Sequence, residues 1–127
     1  MYKVDKRIPS CLEEVKKNIK QVLKDLDEII DDDELLFNIR LILNELVING
    51  VEHGNCFDKT KYIDFSICLN ENEIIIKVKD QGGGIKYSKS SYNPQCLKNC
   101  GRGLFIVKAL SKELMIEDNE VIAKLSV

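Results

Sequence analysis

The chain has 127 residues, 44% hydrophobic and 31% charged, and its 19 Lys and Arg against 21 Asp and Glu leave a net charge of -2. That length suits one domain with its own core, spanning residues 1–127, and no apolar run is long enough to cross a bilayer. Without a stripe of Lys and Arg interleaved with aromatics, direct nucleic-acid binding is disfavoured, and residues 1–7 lack the apolar core and cleavage site of a signal peptide, so a cytoplasmic protein with no membrane partner is expected.

The opening residues alternate charge with apolar side chains, which fits a short strand. From Ser10 to Ile30, apolar residues recur at Leu12, Val15, Ile19, Val22 and Leu26, with Lys and Glu between them, the pattern of an amphipathic helix. Ser10 is the predicted N-cap, and Glu13 three residues on completes the form of a capping box. Asp31, Asp32 and Asp33 place three carboxylates at the positive end of a second helix, predicted from about Asp33 to His53.

The period then changes from helical to alternating. Ile63, Phe65, Ile67 and Leu69 define one strand, Asn70-Glu71-Asn72 a turn, and Glu73 to Asp80 a second strand with Ile74, Ile76 and Val78 on one face. The pair reads as an antiparallel hairpin. Gln81 to Cys100 holds three glycines and a proline without periodicity, long enough for a loop in a compact domain to signal function. A helix is predicted over Leu104 to Lys112, then a closing hairpin from Leu114–Ile116 and Val121–Val127 around Asp118-Asn119. This order implies an α/β (α+β) two-layer sandwich, with three helices on one face of a mixed, mainly antiparallel sheet.

Three polar clusters interrupt the core pattern. In the first, Glu45, Asn49 and His53 are spaced by four along the second helix and share one stripe, so a carboxylate and an amide one turn apart can jointly handle a hydrated cation and an attacking hydroxyl. A merely solvated stripe is the alternative. The second is Asp80-Gln81-Gly82-Gly83-Gly84-Ile85, directly after a strand. Strand parity sets Asp80 on the same face as Ile74, Ile76 and Val78, where a carboxylate needs a hydrogen-bond donor such as an exocyclic adenine amine. Gly82 and Gly84 would let backbone approach a base and sugar, although an ordinary turn has the same composition. The third, Gly101-Arg102-Gly103-Leu104, opens a helix, where exposed N–H groups and the dipole favour phosphate.

The five cysteines, Cys11, Cys56, Cys68, Cys96 and Cys100, are odd in number and form no CxxC pair, which suits free thiols in a reducing compartment. Cys96 and Cys100 form a candidate redox or metal pair, but no His, Asp or Glu joins them at ligand spacing.

Taken in order, Asn44 to Asn55, Asp80 to Ile85 and Gly101 to Leu104 resemble the N box and two glycine boxes of the ATPase superfamily that contains histidine kinases, the gyrase B subunit, heat-shock protein 90 and the mismatch-repair protein MutL. More narrowly, the chain resembles the anti-sigma-factor serine kinases. His53-Gly54-Asn55 ahead of Asp58, Tyr92-Asn93-Pro94, and Gly101-Arg102-Gly103-Leu104-Phe105-Ile106-Val107 carry that likeness. It implies a Bergerat-type fold with an ATP lid at about residues 85–100, and ATP and Mg2+ as cofactors.

It further implies Glu45 as the catalytic carboxylate, Asn49 as the magnesium ligand and Asp80 as the partner of the adenine amine. Gly82, Gly84 and Ile85 would shape the nucleotide pocket, with Gly101, Arg102, Gly103 and Leu104 at the phosphates. The partners implied are an anti-anti-sigma protein substrate and a sigma factor, with a homodimer common among such relatives. His53 reads as structural, because no separate helix carries an acceptor histidine. Two positions depart from the family pattern: Gly50 replaces an alanine, and Asp118-Asn119-Glu120-Val121 stands where many relatives have a Gly-Thr pair that helps bind adenine. Two other functions stay open, an ATP-binding module that sequesters a partner without phosphoryl transfer and a detached ATPase domain of a phosphorelay.

Overall fold

The computed structural model describes residues 2–55, 58–81 and 101–127. In chain order the elements are β1 (Tyr2–Pro9), α1 (Leu12–Asp27), α2 (Asp33–Asn49), a π-helical turn (Gly50–Gly54), β2 (Tyr62–Leu69), β3 (Glu73–Lys79), α3 (Gly101–Leu110), β4 (Glu113–Glu117) and β5 (Glu120–Ser126). The strands form one sheet in the order β1-β2-β3-β5-β4, and each of its pairings is antiparallel.

Alternation along the strands decides which face the helices cover. Ile63, Phe65, Ile67 and Leu69 of β2, Ile74, Ile76 and Val78 of β3, and Val121, Ala123 and Leu125 of β5 are all buried. The residues between them are partly or fully exposed. The register stacks Ile76 against Ile67 on one side and Ala123 on the other, so the apolar rows run straight across the sheet. Onto that face α1 lays Val15, Ile19, Val22 and Leu26, α2 lays Ile39, Ile42, Leu43, Leu46 and Val47, and α3 lays Leu104 and Val107, all in a single core. Each such aliphatic side chain stabilises the fold by roughly 1.5–3 kcal/mol. The expected two-layer α+β sandwich with three helices on one face is what forms.

Local details differ from the sequence expectation in four places. The opening strand is eight residues long, and its inward positions include Lys6, whose Nζ donates to Asn18 Oδ1 at 3.2 Å. Ser10 does not cap α1. The cap position is Cys11, which makes no side-chain capping bond, while Ser10 is buried and its N–H donates to the Lys61 carbonyl at 3.0 Å. That bond ties Ser10 to the approach to β2 and turns its hydroxyl into the core.

The second helix is α-helical only to Asn49 and then widens into the π turn. Its start is as expected, since the Asp32 carboxylate accepts the Leu35 N–H at 3.1 Å, a cap worth about 1 kcal/mol. The third helix starts at Gly101 and ends at Leu110, so Gly101-Arg102-Gly103 forms its first turn. The lid at about 85–100, with Tyr92-Asn93-Pro94, Cys96 and Cys100, lies outside the described residues, as do Cys56, Gly82, Gly84 and Ile85. Among the described residues no helix is long and apolar enough to cross a membrane, and no group of His, Cys, Asp and Glu is placed to hold a metal.

Candidate functional site

The end of α2 and the end of β3 meet at one point in the fold. Leu43, Leu46 and Val47 face the core and are buried, which leaves Glu45 and Asn49, one turn apart, half-buried on the neighbouring stripe. Just beyond, the Asn55 N–H donates to the Gly50 carbonyl at 2.7 Å, the i to i+5 bond that defines the π turn. Such turns are uncommon and concentrate at functional sites. The turn begins directly after Asn49, so the α-helical part of the predicted Glu45-Asn49-His53 spacing ends at Asn49.

Gly50 explains how closely the helix end approaches the sheet. A Cβ at this position would stand 2.8 Å from Ile63 Cδ1 and 3.7 Å from Asp80 Cβ. The missing methyl allows the end of α2 to lie directly over the start of β2 and the residue that follows β3.

Asp80 is that residue. It is only 7% exposed, as strand parity predicts. Its N–H donates to the Asn119 carbonyl at 3.1 Å, extending the β3–β5 ladder one step past Lys79 and Glu120. In return the Asn119 side-chain amide donates to the Asp80 carbonyl. Asn119 follows Asp118, whose φ of 50° lies in the left-handed region. Asp tolerates that conformation better than most residues, and it lets a two-residue turn present Asn119 to the sheet end.

Asn55 secures the same corner from below. It is fully buried; its Nδ2 donates to the Tyr62 carbonyl at 2.9 Å and its Oδ1 accepts the Gln81 N–H at 2.7 Å. The Gln81 side chain closes the ring by accepting the Tyr62 N–H at 2.5 Å. One amide side chain thus ties the π turn to the start of β2 and to the residue after Asp80.

Asn49, Gly50, Asp80, Leu104 and Asn119 line a common recess floored by Val78 and Leu46. Its open volume is about 10 Å³, at the limit of a single water. Asn49 Nδ2 is buried without a hydrogen-bond partner, and a donor left in that condition costs about 1–3 kcal/mol. A water or a ligand atom entering the recess would satisfy it.

Of the residues singled out in the sequence, the fold therefore brings Asn49, Asp80 and Leu104 to one recess, with Glu45 one helical turn back from Asn49. Gly101, Arg102 and Gly103 form the first turn of α3, the helix that supplies Leu104. Two residues were not singled out as site residues. Asn55 ended the first cluster, and Asn119 stood out only as a departure from the family pattern. Their contacts reach across 26 and 39 positions of chain, and no local pattern marks such a partner.

A three-helix layer on an antiparallel sheet, with a helix end, a π turn and a buried strand-end carboxylate converging on a recess, defines the Bergerat type of ATP-binding domain. Residues 8–126 match the family model for the histidine kinase-like ATPase domain, and the chain belongs to that family. No curated protein matches it. Membership carries ATP binding as the shared property of the domain.

Proposed function

We propose that the chain is a Mg-ATP-dependent serine/threonine protein kinase acting as an anti-sigma factor, which phosphorylates an anti-anti-sigma partner and sequesters a sigma factor. The observation that carries this reading is Glu45 one helical turn from Asn49, which lines the recess that holds Asp80. A carboxylate so placed can orient and deprotonate a serine hydroxyl while the neighbouring amide serves the metal. The orphan amide donor of Asn49 and the buried carboxyl of Asp80 suit a nucleotide site.

In this reading Asp80 accepts the adenine amine, and its backbone is held for that task by Asn119. Gly82, Gly84 and Ile85 shape the pocket around base and sugar. The N–H groups that open α3 at Gly101 and Gly103 face the phosphates, with Arg102 beside them and Leu104 anchoring the turn in the core. Asn49 would hold the magnesium through its side-chain oxygen. Bound Mg-ATP would supply the phosphoryl group and neutralise its charge. Glu45 takes the proton of the attacking hydroxyl onto its carboxylate, so the protein's contribution is chiefly placement.

The test is incubation of the purified chain with labelled Mg-ATP and a candidate anti-anti-sigma protein, for wild type, Glu45→Ala and Asn49→Ala. Transfer of label to a serine by wild type alone is the expected result. ATP binding without transfer to any cognate partner would replace the kinase by the module that sequesters its partner without chemistry.

A further inference from the structure

A second concavity, separate from the recess, is a groove between α1 and α2, about 860 Å³ in volume. Its composition departs from that of the whole chain, which is slightly acidic. Lys16, Lys20 and Lys24 stand four residues apart along the α1 wall, and Arg40 stands on the α2 wall. All four are exposed. No side-chain hydrogen bond or ion pair engages any of them among the described residues, although Arg7, Lys112 and Lys124 each find a carboxylate.

Between these cations lies an apolar strip. Leu23 and Leu36 are half-buried in it, and Phe37 keeps 58% of its surface exposed. Leaving an aromatic ring in water at a groove lip forgoes the large burial such a ring can contribute. Among the described residues the only carboxylates lining the groove, Asp27 and Asp33, lie at the end of α1 and the start of α2. The groove is therefore apolar along its floor, cationic over most of its length and acidic at one end.

We propose that this groove is a docking site for an acidic amphipathic helix of a partner protein. From Lys16 to Lys24 the helix rises by roughly 12 Å, just over two turns. A helix laid between α1 and α2 with carboxylates at four-residue spacing would meet the three lysines in register, and its apolar stripe would cover Phe37, Leu23 and Leu36. The pair Asp27 and Asp33 sets direction, because the acidic partner avoids that end or meets it with a cation. The groove and the recess share no lining residue, so this inference stands whether or not the kinase reading holds.

The probe is a fluorescein-labelled synthetic helix of about five turns, with leucines on one stripe and glutamates flanking it, followed by fluorescence anisotropy against the full chain. A twin with lysine at every glutamate is the control. The acidic peptide is expected to bind saturably and at least about tenfold more tightly than its twin. Lys20→Glu combined with Arg40→Glu, and separately Phe37→Ala, should each weaken it by about tenfold or more. Their unfolding midpoints should match wild type, since all three side chains are exposed. Lys77→Glu with Lys79→Glu, on the opposite face of the sheet, should leave binding unchanged.

Equal binding of the two peptides, equal loss in the sheet-face variant, or no saturable binding of the acidic peptide would each overturn the proposal. So would a wild-type dimer that Phe37→Ala dissociates, because a second copy would then fill the groove.

Discussion

Asp80 and Asn119 grip each other by two hydrogen bonds, the Asp80 N–H to the Asn119 carbonyl at 3.1 Å and the Asn119 side-chain amide back to the Asp80 carbonyl. Asp80 is thereby fixed by a turn 39 positions away in sequence. Removing the amide with Asn119→Ala should lower stability by about 1 kcal/mol, the usual net worth of such a bond. Asn119→Asp should cost more, since it deletes the donor and sets an ionised carboxylate against the Asp80 carbonyl. Urea denaturation of the two variants checks the order, and an aspartate tolerated as well as alanine would contradict it.

Asn55 is expected to be the most sensitive polar residue at this corner. Asn55→Ala strips the Tyr62 carbonyl and the Gln81 N–H of their partner in a fully buried place. Leaving both groups unmet should destabilise the fold by roughly 2–4 kcal/mol. Asn55→Asp keeps the acceptor for Gln81 but sets an ionised carboxylate, fully buried, against the Tyr62 carbonyl. At neutral pH it should cost at least as much as alanine in the same denaturation experiment.

The sequence was most legible where packing follows a simple period. The alternation from Ile63 to Leu69 and from Ile74 to Val78 predicted both strand and buried face, and parity carried the burial of Asp80 with it. It was less legible where a polar side chain takes an inward position. Lys6 faces in from β1 to reach Asn18, which hides that strand's alternation behind an apparent charge. Ser10 has the sequence form of a cap, yet a backbone bond to Lys61 turns it into the core. The π turn was invisible because Asn49 to Gly54 fits an α-helix equally well by local pattern, while Asn55, which closes the turn, is held by partners distant in sequence.

Gly50 gives a coupled prediction. Gly50→Ala should gain about 1 kcal/mol of helix propensity, but its Cβ would fall 2.8 Å from the fully buried Ile63 Cδ1. Overpacking of this kind costs about 1–3 kcal/mol, so the single variant should be mildly destabilised. Ile63→Val removes the offending methyl. A double-mutant cycle of Gly50→Ala and Ile63→Val, read by thermal unfolding, should show favourable coupling of at least about 0.5 kcal/mol. Strict additivity would contradict the close approach of α2 to β2.

The turn before β2 should respond to acid. The Thr60 hydroxyl first, and then the Thr60 N–H, hold the Asp58 carboxyl below its ordinary value of 3.8 by donating to it. A depressed folded value means that the stabilisation is present above 3.8 and is lost as pH falls through the folded value. Thr60→Val removes the hydroxyl donor and keeps the N–H. NMR titration of Asp58 should then show its midpoint moving up toward the ordinary value, and an unmoved midpoint would contradict the assignment.

The central claim is that the recess between α2 and β3 binds ATP with Asp80 as the group that recognises the base. Titration calorimetry of Mg-ATP into wild type, Asp80→Asn and Glu45→Ala tests it most directly, with unfolding midpoints recorded for each. Wild type and Glu45→Ala should bind alike, while folded Asp80→Asn should lose at least about tenfold in affinity, the cost of one mismatched buried hydrogen bond. Undiminished ATP binding by Asp80→Asn would contradict it.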